Sequence, residues 1–143
     1  RRFCRDHDIA RDDATLIESR IAAGAQHDLL VTLGGASVGD HDLVLPVLRE
    51  LGLTPLFRRV KLRPGRPATF GLLPRAGAAP LPVLALPGNP ASTLVAFELL
   101  VRPLVRALLG LPRRRWFRHV VRLELAATVE GERRRDQIGE HTS

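Results

Sequence analysis

Gly34-Gly35-Ala36-Ser37-Val38-Gly39-Asp40-His41-Asp42 follows a short apolar run and precedes a helical stripe. Its glycines at 34, 35 and 39 let the backbone turn tightly and present N–H groups with no Cβ in the way. A helix beginning behind such a loop favours an anion at its N-terminus. The same residues also suit a plain tight turn, with Asp40 or Asp42 as the cap of the next helix. A second loop, Leu86-Pro87-Gly88-Asn89-Pro90-Ala91-Ser92, likewise joins an apolar run to a helix. Its two prolines around Gly-Asn fix the backbone, and Ser92 is placed to cap the helix. A rigid strand-to-helix connection explains it equally well. Between the loops, Arg59-Val60-Lys61-Leu62-Arg63-Pro64-Gly65-Arg66-Pro67 sets four cationic side chains around a Pro-Gly turn. That pattern suits an oxyanion, or simply a solvated edge.

Other reactive residue types make weaker patterns. The histidines at 7, 27, 41, 119 and 141 show no metal-ligand spacing, so a zinc site is not expected. His41 sits inside the glycine loop, where exposure is the simpler reading. Ser37 and Ser92 lack the flanking pattern of a nucleophile elbow. The single Cys4 cannot form an internal disulfide and has no zinc-binding companions. Arg113-Arg114-Arg115, beside Trp116-Phe117, and Arg133-Arg134-Arg135 are the candidate nucleic-acid contacts. Aromatic residues make up only 4% of the chain and no groove-reading motif is present, so these arginines read as solvated linker charge.

The elements that must position the loops are legible as alternating units. Leu16, Ile17 and Ile21 fall at helical spacing behind Asp12-Asp13, where an Asp supplies the N-cap and Gly24 a C-terminal stop. Leu29 to Leu33 is nearly all apolar and reads as a strand buried on both faces. Leu43, Val44, Val47, Leu48 and Leu51 form a helical stripe ended by Gly52, with Pro46 in or near the first turn. Residues 56–62 and Thr69 to Leu73 read as strands, Pro74 to Pro82 as a turn, and Val83 to Leu86 as a second buried strand. Ala91 to Leu109 reads as a long helix kinked at Pro103 and closed by Gly110. This strand-loop-helix grammar predicts an α/β domain with three layers and a mainly parallel sheet. Residues 111–118 read as a basic linker. Val121, Leu123 and Leu125 alternate with Arg122 and Glu124, so residues 119–143 read as the start of a small β domain with a polar tail.

Composition sets outer bounds. The chain has 143 residues, 45% of them hydrophobic, which suits one domain of ordinary size and part of another. No apolar run approaches the ~18 residues of a membrane span, and no secretory signal follows Arg1-Arg2-Phe3. A cytoplasmic location is expected. The net charge is +7, and Lys61 is the only lysine among the 22 basic residues. Arginine binds oxyanions through a planar fork where lysine offers a point charge. There is no Met, and the first residue is Arg, so a piece of a longer protein is expected.

Taken in order and at this spacing, G-G-A-S-V-G-D-H-D, R-P-G-R-P and L-P-G-N-P-A-S closely resemble the molybdopterin molybdenumtransferases, the family of the bacterial MoeA proteins and the E domain of gephyrin. The resemblance runs from about Ile9 to Gly110. The related molybdopterin adenylyltransferases share the fold but carry a G-G-T-G loop, where this chain has Ala36-Ser37-Val38-Gly39. The resemblance implies an α/β fold of the molybdopterin-binding type over residues 1–110, without its first strand. It implies a transferase that binds adenylylated molybdopterin, inserts molybdenum from molybdate at the dithiolene sulfurs and releases AMP, with Mg²⁺ or another divalent cation assisting.

Carried over by position, Asp12 and Asp42 match acidic residues of the family's active site and would be its catalytic and metal-holding carboxylates. Gly34, Gly35, Ser37, Val38, Gly39, Asp40, Arg59, Arg63, Arg66, Pro87, Gly88, Asn89, Pro90 and Ser92 would contact substrate. Arg59 and Arg63 stand where lysines are common in the family, and Arg66 at the lysine of P-G-K-P, so charge is kept while geometry changes. The family also carries two N-terminal domains and a complete C-terminal β domain, and it works as a homodimer whose site draws on the partner. This chain is therefore expected to be a C-terminal-half fragment, inactive alone, in a pathway with the adenylyltransferase as neighbour and with no nucleic-acid or membrane partner. Two alternatives stay open: molybdopterin adenylylation, and a non-catalytic binding or scaffolding module.

Overall fold

The computed structural model describes residues 4–10, 13–34 and 43–118. Helix α1 spans Ala14–Gly24, and the Asp13 side chain accepts a hydrogen bond from the Leu16 N–H at 3.0 Å, satisfying one of the free donors of the first turn. Ile17, Ile21 and Gly24 form its buried stripe. Gly24 is the last helical residue rather than a left-handed stop, because the chain leaves through Ala25 in the right-handed region. The reason for glycine is packing: a Cβ there would stand 2.7 Å from the Leu30 Cδ1, so its absence lets the following strand lie close.

Four strands form one sheet in the order β1-β4-β3-β2, with β1 at Leu30–Leu33, β2 at Thr54–Phe57, β3 at Thr69–Arg75 and β4 at Ala78–Leu86. Among the described residues only β1 and β4 run parallel, from Leu30 beside Val83 to Leu33 beside Leu86. The sheet is mixed, not mainly parallel. The expected turn at 74–82 shrinks to Ala76-Gly77, with Gly77 at φ +67°, and the residues on either side join β3 and β4 as a hairpin. A two-residue link makes an antiparallel pair, whereas a parallel one needs a crossover of a dozen residues or more. Pro80 and Pro82 are tolerated in β4 because β1 pairs with it only from Val83 onward.

Two further expectations shift for similar reasons. The expectation that Leu29 to Leu33 is buried on both faces fails: β1 pairs with β4 alone among the described residues, and Leu33 is 71% exposed. The strand expected at 56–62 ends at Phe57, because the next backbone bonds are local: Val60 N–H donates to Arg66 O instead of to β3. Gly71 lets β2 approach, since a Cβ there would lie 2.7 Å from the Thr54 carbonyl oxygen.

Helix α2, Val44–Glu50, ends before Gly52 at φ +89°, as its stripe predicts. The C-terminal helix is interrupted near Pro103, also as expected. Helix α3 (Pro90–Ala96) widens into a π turn (Phe97–Val101) and resumes as α4 (Arg102–Leu108), with Pro103 in its first turn. Proline has no N–H for the i−4 bond, and the wider turn absorbs that loss.

Strand β4 is the centre of the molecule. Its Val83 and Ala85 pack with Ile17, Ile21, Leu45 and Leu48, while Leu84 and Leu86 pack with Ala96 and Val101. The run Val83–Leu86 is at most 2% exposed, as its unbroken apolar character predicts. No helix among the described residues is long and apolar enough to cross a membrane. The β domain expected from residue 119 lies outside the described residues.

Candidate functional site

Both strands of the parallel pair end at the same edge, so Gly34 and Pro87 leave the sheet side by side. Gly34 N–H donates to Leu86 O at 3.0 Å, extending the ladder one step beyond the strands. Gly34 holds φ +86°, a conformation open mainly to glycine, and a Cβ on Gly88 would stand 3.5 Å from the Gly34 Cα. Backbone therefore lies against backbone where the two loops begin. The rest of the first loop, with Gly35, Ser37, Val38, Gly39, Asp40, His41 and Asp42, lies outside the described residues, as does Asp12.

The second loop is braced by its own side chains. Pro87 is buried, whereas Gly88, Asn89 and Pro90 are exposed. Pro90 occupies the first turn of α3, where a missing N–H costs nothing. The cap expected from Ser92 comes from Asn89 instead, whose Oδ1 accepts from the Ser92 N–H at 3.2 Å. Asn89 has the extended backbone of a cap residue, and Ser92 is already inside the helix. Thr93, unremarked in the sequence, donates its hydroxyl to the carbonyls of Pro87 and Asn89, the latter at 2.8 Å.

The cationic turn meets this loop directly. Gly65 is buried at φ +112°, and a Cβ there would lie 3.3 Å from the Ser92 carbonyl oxygen and 3.0 Å from the Leu62 Cδ2. The glycine thus seats the turn on the first turn of α3. Val60 N–H donates to Arg66 O at 3.1 Å, closing the turn across its neck, and Thr69 Oγ1 donates to Arg58 O at 3.5 Å where it leaves the sheet. Arg59, Lys61, Arg63 and Arg66 are all exposed, and none forms an ion pair among the described residues. Exposed cationic side chains with no ion-pair partner among the described residues are chemically able to hold a multiply charged anion.

Of the predicted site residues, the structure sets Gly34 against Gly88, continues that loop through Pro87, Asn89, Pro90 and Ser92, and seats the turn bearing Arg59, Arg63 and Arg66 on Ser92 through Gly65. Among the described residues, no three His, Cys, Asp or Glu side chains gather as a metal site. Among the described residues, a second concentration of charge lies at the far end of the C-terminal helix. There Arg102, Arg106, Arg114, Arg115 and Arg118 surround a cleft of about 600 Å³. Two of these arginines are committed elsewhere. Glu98 accepts from Arg102 at 2.7 Å and from Arg118 at 2.7 and 2.9 Å, and the Arg118 bonds, with those from Arg102, hold its carboxyl at about 2. The residues expected as linker are thereby clamped to the helix.

The comparisons with known proteins agree on one family. A family model described as "Probable molybdopterin binding domain" matches residues 4–107. A molybdopterin molybdenumtransferase of Nostoc sp. is 41% identical over 107 residues, covering 73% of this chain and 24% of that protein. One from Haemophilus influenzae is 40% identical, with 69% and 23% covered. Gephyrin of Dictyostelium discoideum is 36% identical over 66% of this chain and 15% of its own length. The chain spans about a quarter of the length of the first two relatives.

Proposed function

This chain belongs to the molybdopterin-binding domain family, and from that premise we propose that it is the substrate-binding α/β part of a molybdopterin molybdenumtransferase. The substrates are adenylylated molybdopterin and molybdate, and the products are the molybdenum-loaded pterin and AMP. The single observation that carries this reading is the contact of Gly65 with Ser92, which seats a cationic turn, without ion pairs among the described residues, on the loop beside Gly34. An adenylylated pterin is anionic along its phosphates, and molybdate is itself an oxyanion. Arg59, Arg63 and Arg66 would hold these groups through forked N–H donors. Gly34, Gly88 and the rest of the glycine loop would let phosphate oxygens approach the backbone.

Asp12 and Asp42 would hold a divalent cation, which supplies charge neutralisation at the phosphates when bound. The parent enzyme is proposed to be a cytoplasmic homodimer, with the pterin adenylyltransferase supplying its substrate.

Calorimetric titration with adenylylated molybdopterin, on the chain and on an Asp42→Ala variant, tests the reading. Binding that weakens about tenfold or more in the variant supports a ligand on the glycine loop; equal binding in both contradicts it.

A further inference from the structure

His7 and His27 are unrelated by sequence spacing, yet the fold sets their Nε2 atoms 3.2 Å apart, with the rings tilted by 46°. We propose that this half-buried pair is a binding site for a divalent transition-metal ion of the zinc, copper or nickel class, coordinated by both Nε2 atoms.

The distance is the first support. Imidazole nitrogen binds such ions at about 2.0–2.1 Å, which separates two ligands by about 3.3 Å around a tetrahedral ion and about 2.9 Å at cis positions of a square plane. The observed 3.2 Å lies between these values, so the rings need almost no movement. Coordination needs the lone pair of both Nε2 atoms, so each ring would carry its proton on Nδ1 when the ion is bound.

The second support is that the backbone carrying each histidine is tied to other parts of the fold. His27 N–H donates to Gly24 O at 3.1 Å, and His27 O accepts from Arg75 at 3.0 Å. His7 lies in the segment 4–10, where Asp8 N–H donates to the Asp6 carboxylate at 2.9 Å and Asp8 pairs with Arg20 of α1 at 3.8 Å. Ligands carried on a backbone that is already tied down lose less freedom on binding. Among the described residues no third His, Cys, Asp or Glu completes a cluster, so water or an external ligand fills the remaining positions. The Arg75 charge nearby keeps the affinity modest. The ion would fasten the segment 4–10 to the turn after α1, away from the loops at the sheet edge.

Titration of the full chain with Zn²⁺, followed by calorimetry and thermal unfolding, provides the test. One ion per chain is expected at the tightest site, with affinity reduced at least tenfold in both His7→Ala and His27→Ala and unchanged in His141→Ala. Zn²⁺ should also raise the melting temperature of the parent chain but not of His7→Ala, because a ligand bound to the folded state stabilises it. His7 lies outside the core, so that variant remains informative even where His27→Ala unfolds. Affinity within twofold of the parent in His7→Ala, or loss of the tightest binding in His141→Ala, overturns the proposal and leaves the pair as a hydrogen bond alone.

Discussion

Gly65 carries a burden out of proportion to its size, since both its left-handed backbone and its missing Cβ are used where the cationic turn meets α3. A Gly65→Ala change should cost about 1–3 kcal/mol through backbone strain, and more if Leu62 cannot yield. Urea unfolding of the two proteins measures it; a loss below about 0.5 kcal/mol would show that the turn is seated otherwise. Glu98 offers a test by pH. Its carboxyl is held at about 2 against an ordinary 4.5, so its two arginines stabilise the fold above about 4.5 and that contribution disappears as pH falls toward 2. The melting temperatures of the parent and Glu98→Gln should therefore differ at pH 6 and converge near pH 2. A constant difference across that range would mean the arginines are not favouring the ionised form. At this scale the sequence was only partly readable. The motif containing Asn89 and Ser92 was visible, but which of them caps the helix depends on where the first turn begins, and Pro90 decides that. The clamp of Arg118 on Glu98 spans 20 residues and leaves no local signal.

Elements depend on length as much as on pattern. Helix α2 has only seven residues, too few to persist alone, so its stability comes from packing Leu45, Val47 and Leu48. Leu48 is fully buried, and Leu48→Ala should cost about 2–5 kcal/mol in chemical denaturation, with the spread set by how far the cavity collapses. A cost under 1 kcal/mol would mean that α2 is not part of the core. Periodicity located α1 and α2, whose apolar stripes face the core, and an unbroken apolar run located the Val83–Leu86 half of β4, which packs on both faces. It failed on strand direction, because direction depends on how many residues link β3 to β4. Proline and glycine between 74 and 82 resemble a long turn unless the hairpin is already known.

For the molecule as a whole, Gly34 and Gly88 come together because β1 and β4 are parallel neighbours with paired ends, Leu33 beside Leu86. The buried apolar run of β4 anticipates its central place, and the motif order anticipates the family. The seating of the cationic turn on α3 is not legible in the sequence, because it depends on a backbone contact between residues 65 and 92. Neither is the approach of His7 to His27, which rests on the path of the chain around α1.

The central claim is that this turn and these loops bind an anionic pterin nucleotide. Calorimetric titration with adenylylated molybdopterin, on the parent chain and on a variant with Arg59, Arg63 and Arg66 all changed to Gln, tests it most directly. Each surface charge lost from an oxyanion contact is worth on the order of 1 kcal/mol, so affinity should fall at least tenfold in the variant while its circular dichroism and melting temperature stay close to those of the parent. Equal affinity in two folded proteins would place the ligand elsewhere and contradict the account.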